Sequence, residues 1–214
     1  MRVDRIVCVR FVSLALLGVA GVFPLGCAPD PSKLDEKKSY FDGGALRTPE
    51  PATIVLTGRV LKSQGRVDEA EYVLRRVIAD HPQFPPGYAE LAELLLKDSR
   101  TNEAIILLQR GVTEVPTSAM LHNDLGMCFV VTEDFDAAAD EFTRARELYR
   151  GDAAFTANLA MVRALQGRYD ESVRLYSEVI PVSEAHGNVA VLAEARGDLQ
   201  RAESDRAIAS NASK

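Results

Sequence analysis

If this chain carried out a reaction, the work would fall to three histidines, three cysteines and its carboxylates, so their spacing is the first thing to weigh. His81, His122 and His186 stand in separate segments, and none has a second histidine, cysteine or carboxylate at helical spacing on a shared face. A zinc site needs three or four such ligands converging, so no metal is expected. Cys128 sits in the apolar run from Leu125 to Val131 with no basic neighbour to favour a thiolate, and reads as a small buried hydrophobe. The acidic pairs Asp68-Glu69, Glu133-Asp134 and Asp170-Glu171 recur near the start of amphipathic segments, where they favour the positive end of a helix dipole instead of converging as acid and base. The chain has no glycine-rich phosphate loop, no dinucleotide fingerprint and no HExxH or GxSxG string. These absences predict a protein that is not an enzyme, takes no small-molecule substrate and needs no cofactor. A net charge of −6 also disfavours nucleic acid as a partner.

The cysteine with chemistry to do is Cys27. Arg2, Arg5 and Arg10 precede an uncharged, mostly apolar run over residues 11–28, which is the order of an export signal. Its last residues, Phe23-Pro24-Leu25-Gly26-Cys27, resemble a lipobox, in which a small residue precedes a cysteine that is acylated and becomes the new N-terminus. Gly26 and Cys27 match that pattern, while Pro24 and Leu25 stand where leucine and a small residue are usual. Two other readings compete: ordinary signal cleavage after Ala28, and retention of the segment as an anchor near the lower length limit of a spanning helix. All three export the chain. The leading one makes residues 1–27 a signal and leaves an exported lipoprotein held to the membrane through Cys27, facing the periplasm, at the outer membrane in preference to the inner. Residues 28–50 are rich in Pro, Asp, Lys, Ser and Gly and read as a flexible tether spanning on the order of 25 Å, unless Tyr40 and Phe41 pack on the first helices. With Cys8 in the signal and Cys128 buried, no pair is left for a disulfide, and the folded part relies on apolar packing.

From residue 51 the sequence repeats with a period of 34. Ala70, Ala104, Ala138 and Ser172 follow at that step, Pro82 and Pro116 do the same, and a last copy ending at Ala202 arrives four residues early. Leu91, Leu94 and Leu95, then Leu121, Leu125 and Phe129, recur at helical spacing, as do Ala138, Phe142, Ala145 and Leu148 in the partner segments. Gly65, Pro82, Pro85, Pro86, Pro116, Gly151 and Gly167 punctuate them. The pattern predicts about ten helices in antiparallel pairs over residues 51–209, with a short tail at 210–214. One pair cannot bury its own apolar face, so the pairs must stack.

This pattern resembles the tetratricopeptide repeat family. Counting places from residues 51, 85, 119, 153 and 183, the eighth place holds Gly58, Ala92, Gly126, Ala160 and Ala190, and the twentieth holds Ala70, Ala104, Ala138, Ser172 and Ala202. The resemblance implies an all-α, right-handed solenoid of about five helix pairs, four full repeats and a degenerate fifth. It also implies a concave groove lined by places 2, 5, 9, 12 and 13 of each first helix. Those places carry Val55, Arg59 and Lys62, then Ala89, Glu93, Leu96 and Lys97, then Asn123, Met127, Val130 and Val131, then Ala157, Met161, Ala164 and Leu165. The groove thus changes from charged to apolar along its length, with Met127, Val130 and Val131 turned away from the stripe of Leu125 and Phe129 that meets the second helix. Some members of the family clamp a terminal carboxylate with paired Lys and Asn. Asn123 and Asn158 are present here, without basic residues to match.

Together these features predict a membrane-tethered scaffold that holds a peptide or helix segment of another protein in its groove. The resemblance further implies a place in a bacterial envelope assembly, such as an accessory lipoprotein of a secretion or Tad-type pilus system. The competing expectation is a structural spacer that self-associates and leaves the groove unused.

Overall fold

The computed structural model describes residues 49–211. The signal, Cys27 and nearly all of the tether lie outside the described residues. Ten helices follow one another: α1 (Pro51–Ser63), α2 (Val67–Asp80), α3 (Pro85–Lys97), α4 (Thr101–Glu114), α5 (Ala119–Val131), α6 (Phe135–Leu148), α7 (Ala153–Leu165), α8 (Tyr169–Ser177), α9 (Val182–Ala195) and α10 (Leu199–Asn211). Each pair packs internally and then on the pair that follows it, so the fold is an all-α solenoid of five helix pairs. The helix α8 is shortened to nine residues, which accounts for the early arrival of the last copy. The expected solenoid end at residue 209 is slightly short, because α10 continues to Asn211. No helix among the described residues is long and apolar enough to cross a membrane.

Local chemistry sets the ends of these helices. Proline opens α1 and α3, where a missing N–H costs nothing. The Ser118, Asp134 and Asp152 side chains accept bonds from the first-turn N–H groups of α5, α6 and α7. One turn closes every repeat: the N–H at place 16 donates to the carbonyl at place 11, as from Arg66 to Leu61, Arg100 to Leu95, Asp134 to Phe129, Arg168 to Arg163 and Asp198 to Ala193. Such a turn requires a left-handed residue at place 15. Gly65, Gly167 and Gly197 fill it in three repeats, while Ser99 and Glu133, each at φ 60°, fill it in the other two.

Two groups of buried side chains form the core. The first runs from Val55 to Cys128 and includes Leu74, Leu91, Leu95, Leu108, Leu121 and Leu125. The second runs from Ala138 to Val189 and includes Phe142, Leu159, Val162 and Tyr176. Phe129 is partly buried and packs against both, which makes it the seam between the front and rear of the stack.

In the fourth pair, places 8 and 20 are in direct contact. Ser172 Oγ donates to the carbonyl of Ala160 at 2.6 Å, so the two small residues lie backbone to side chain. The eighth place also meets a large side chain at place 24. A Cβ added at Gly58 would lie 2.9 Å from Leu74, and one added at Gly126 only 2.7 Å from the Phe142 ring. Helix propensity alone favours Gly126→Ala by about 1 kcal/mol. Crowding against Phe142 is expected to reverse that sign and lower the melting temperature, with a net loss of about 1–3 kcal/mol. Adding Phe142→Leu, which copies the Ala92 and Leu108 combination of the preceding repeat, should recover part of it. A Gly126→Ala protein as stable as the parent would contradict this packing.

Candidate functional site

The first helices of successive pairs lie side by side, α1 against α3, α3 against α5 and α7 against α9, and α5 and α7 approach each other less closely. Their shared face carries the expected groove residues, and the structure sorts those into three groups. Met127 and Val131 keep 37% and 55% of their surface open, and Met120 at place 2 keeps 37%, so these three are the open apolar side chains of α5. Leu96, Val130, Ala157 and Met161 are partly buried and pack against the core as well, so they support the groove without being free in it. Leu165 is also half-covered. Val55 is a correction: at 4% exposure it belongs to the first core group and is not open in the groove. Ala164 is likewise fully buried.

The charged end of the groove is internally paired. Glu90 accepts from Arg59 Nε at 2.6 Å and from Lys62 Nζ at 3.1 Å. Lys62 also reaches Glu93 at 2.8 Å, and Lys97 holds the other Glu93 oxygen at 2.7 Å. Burial works against the Lys62 charge, but its bonds to Glu93 and Glu90 outweigh that and raise its pKa above the usual lysine value. Further along, Asn158 Nδ2 donates to Asn123 Oδ1 at 2.7 Å across the α5–α7 step. The two amides that might have clamped a terminal carboxylate are thus joined to each other.

Asp124, at place 6 of α5, was not among the expected groove residues. It is half-buried and, among the described residues, takes only a long 3.4 Å bond from Asn123 Nδ2 and has no ion pair. Burial, together with the Glu93 and Glu90 charges and against the help of Asn123, pushes its carboxyl up to about 6. One turn on, Cys128 is fully buried, and burial plus the Asp124 charge pushes its thiol up to about 11, which keeps it protonated and inert. Two of the histidines, His122 and His186, tie the helices of a pair together. His122 Nδ1 pairs with Glu141 at 2.6 Å and Nε2 reaches the Pro116 carbonyl at 3.2 Å. His186 pairs with Asp205 at 2.7 Å, an aspartate only 1% exposed that Arg201 also holds. Both pairs join places 4 and 23 of a repeat, so an acid nineteen residues after a histidine is the signal that could have revealed them. Among the described residues no group of three or more histidines, cysteines or carboxylates could hold a metal ion.

Asp124 supplies a pH prediction. Its folded-state pKa is raised, so the folded chain binds a proton more tightly than the unfolded chain, and this group's contribution to stability falls as pH rises through about 6. At pH 7.5 the carboxylate is a burden that Asp124→Asn removes. The variant should melt higher than the parent at pH 7.5, by about 2–4 °C for each kcal/mol regained. At pH 5 the difference should narrow, and it should close only below about 4, where the carboxyl is neutral in the folded and the unfolded chain alike. Equal melting at both pH values would show that Asp124 is fully solvated.

Comparison with known proteins agrees with this architecture. Tetratricopeptide repeat family models match residues 61–123 and 123–184, together more than half of the chain. Human tetratricopeptide repeat protein 13 is 26% identical over 111 residues, and the match spans 52% of this chain but 13% of that protein. Among solved structures, MamA superposes with a TM-score of 0.58 at 22% identity, over 72% of this chain and 92% of that one. YrrB, described as a TPR protein with an unusual peptide-binding site, gives 0.59 at 17% identity over 75% and 84%. A tetratricopeptide repeat protein from Parabacteroides merdae gives 0.59 at 21% identity over 72% and 62%. The period of 34, the small residues at places 8 and 20, the ten paired helices and these matches agree, and the chain belongs to the tetratricopeptide repeat family.

Proposed function

We propose that this protein is a scaffold that holds a segment of a partner protein along the face made by α3, α5 and α7, and that it does so from a membrane tether within a bacterial envelope assembly. The observation that carries the reading is the open pair Met127 and Val131, a turn apart on α5 beside the loosest step between first helices. Apolar side chains left in water commonly mark where a partner binds, and methionine adapts to varied partners. The peptide-binding site ascribed to YrrB offers a precedent on the same fold. The tether rests on the sequence alone, on the uncharged run ending at Gly26-Cys27. No catalytic role is assigned.

Met127→Glu with Val131→Glu tests the groove. Both side chains are open, so helicity and melting should be unchanged while crosslinked partners are no longer recovered from membranes. Met161 is a poorer probe, since it also packs on the second core group. Full recovery of partners by the folded double variant would move binding elsewhere, for example to Tyr72 and Ile106 on α2 and α4, which are 71% and 67% exposed. The tether is tested by Cys27→Ser, which should release the protein from membranes or leave an unprocessed precursor. Unchanged mass together with unchanged retention would contradict lipidation.

A further inference from the structure

The repeat supplies its own control for Asp124. At place 6 of the second repeat stands Glu90, whose carboxylate is neutralised by Arg59 and Lys62, at places 9 and 12 of the repeat before it. At place 6 of the third repeat stands Asp124, and the same two supporting places now hold Glu93 and Leu96. Both cations are gone, and one is replaced by a like charge. Glu93 cannot lend its own cations, because Lys62 and Lys97 are already bound to it. At place 6 of the fourth repeat the carboxylate has become Asn158, which needs no cation and bonds to Asn123. Asp124 is therefore a half-buried carboxylate in a register where the first repeat gives Glu90 two cations and the second repeat gives Asp124 none.

Asp124 also shares a stripe with the open apolar residues. Asp124, Met127 and Val131 are spaced i, i+3 and i+7 on α5, so Met127 lies about 5 Å and Val131 about 10 Å further along the helix axis. We infer that the partner segment brings a lysine or arginine to the Asp124 carboxylate and lays adjacent apolar side chains on Met127 and Val131. This rests on the groove reading above and adds to it the chemistry of the partner. The cation replaces those missing from places 9 and 12 and offsets the repulsion of Glu93, while the Asp124 carboxylate itself disfavours an acidic segment. The site thus has the opposite charge preference to a clamp for a terminal carboxylate.

The experiment selects random peptides of about a dozen residues by display on the immobilised full chain in mild detergent. The affinities of the enriched peptides are then compared on the parent, on Asp124→Asn and on Met127→Glu with Val131→Glu. Enriched peptides should carry a basic residue next to apolar ones, and Asp124→Asn should weaken them about tenfold or more. Changing the peptide's basic residue to glutamine should weaken binding to the parent by a similar factor and leave binding to Asp124→Asn little changed. Enrichment without a basic residue overturns the inference, as does equal affinity on Asp124→Asn. In either case loss of binding on the Met127 and Val131 double variant leaves the groove reading standing. If no peptide is enriched, or if the double variant binds them as the parent does, the groove reading fails and the inference fails with it.

Discussion

Everything in this fold depends on how closely the two helices of a repeat can approach. A helix pair with bulky residues at the crossing would splay, and its apolar stripes would no longer meet those of the next pair. Small residues at places 8 and 20 prevent this, and the 2.6 Å bond from Ser172 to the Ala160 carbonyl shows how near the backbones come. The large residue at place 24, such as Leu74 or Phe142, then fills the hollow over place 8. Because each repeat closes with the same turn bond from place 16 to place 11, the crossing is reproduced in all five copies, including the fifth.

That regularity makes the structure a ruled surface on which departures stand out. First helices align along one face, so a residue at a given place has a neighbour at a fixed place in the repeat before it. Where those neighbours are complementary, as for Glu90 with Arg59 and Lys62, the face is closed by its own ion pairs. Where they are not, as for Asp124 beside Glu93, the face holds a charge that the fold bears at a cost. A side chain that weakens the fold while facing a groove is the usual mark of a position kept for binding, where stability and function pull apart. The apolar pair Met127 and Val131 on the same stripe follows the same logic.

Most of the architecture was legible in the sequence, because a period of 34 with small residues at fixed places has few physical solutions. The turns at Gly65 and Gly167 were visible for the same reason, whereas Ser99 and Glu133 concealed theirs by adopting a left-handed backbone without glycine. The groove was legible only by place, and place does not distinguish an open side chain from one that a neighbour covers. Val55 is buried in the first core group, and Met161 and Val130 lean into the second, facts that depend on three-dimensional neighbours. The histidine pairs with Glu141 and Asp205 join the two helices of one repeat, nineteen residues apart, and the isolation of Asp124 emerges only when one repeat is laid over the next.

The central claim is that a partner lies on the face of α5 that bears Met127. Photo-crosslinking from a benzophenone side chain placed at position 127, and separately at position 72 on α2, tests it in living cells without disturbing the charge of either face. The account predicts a discrete crosslinked protein from position 127 and none from position 72. Crosslinks from position 72 with none from position 127 would contradict it and put the working surface on the second helices.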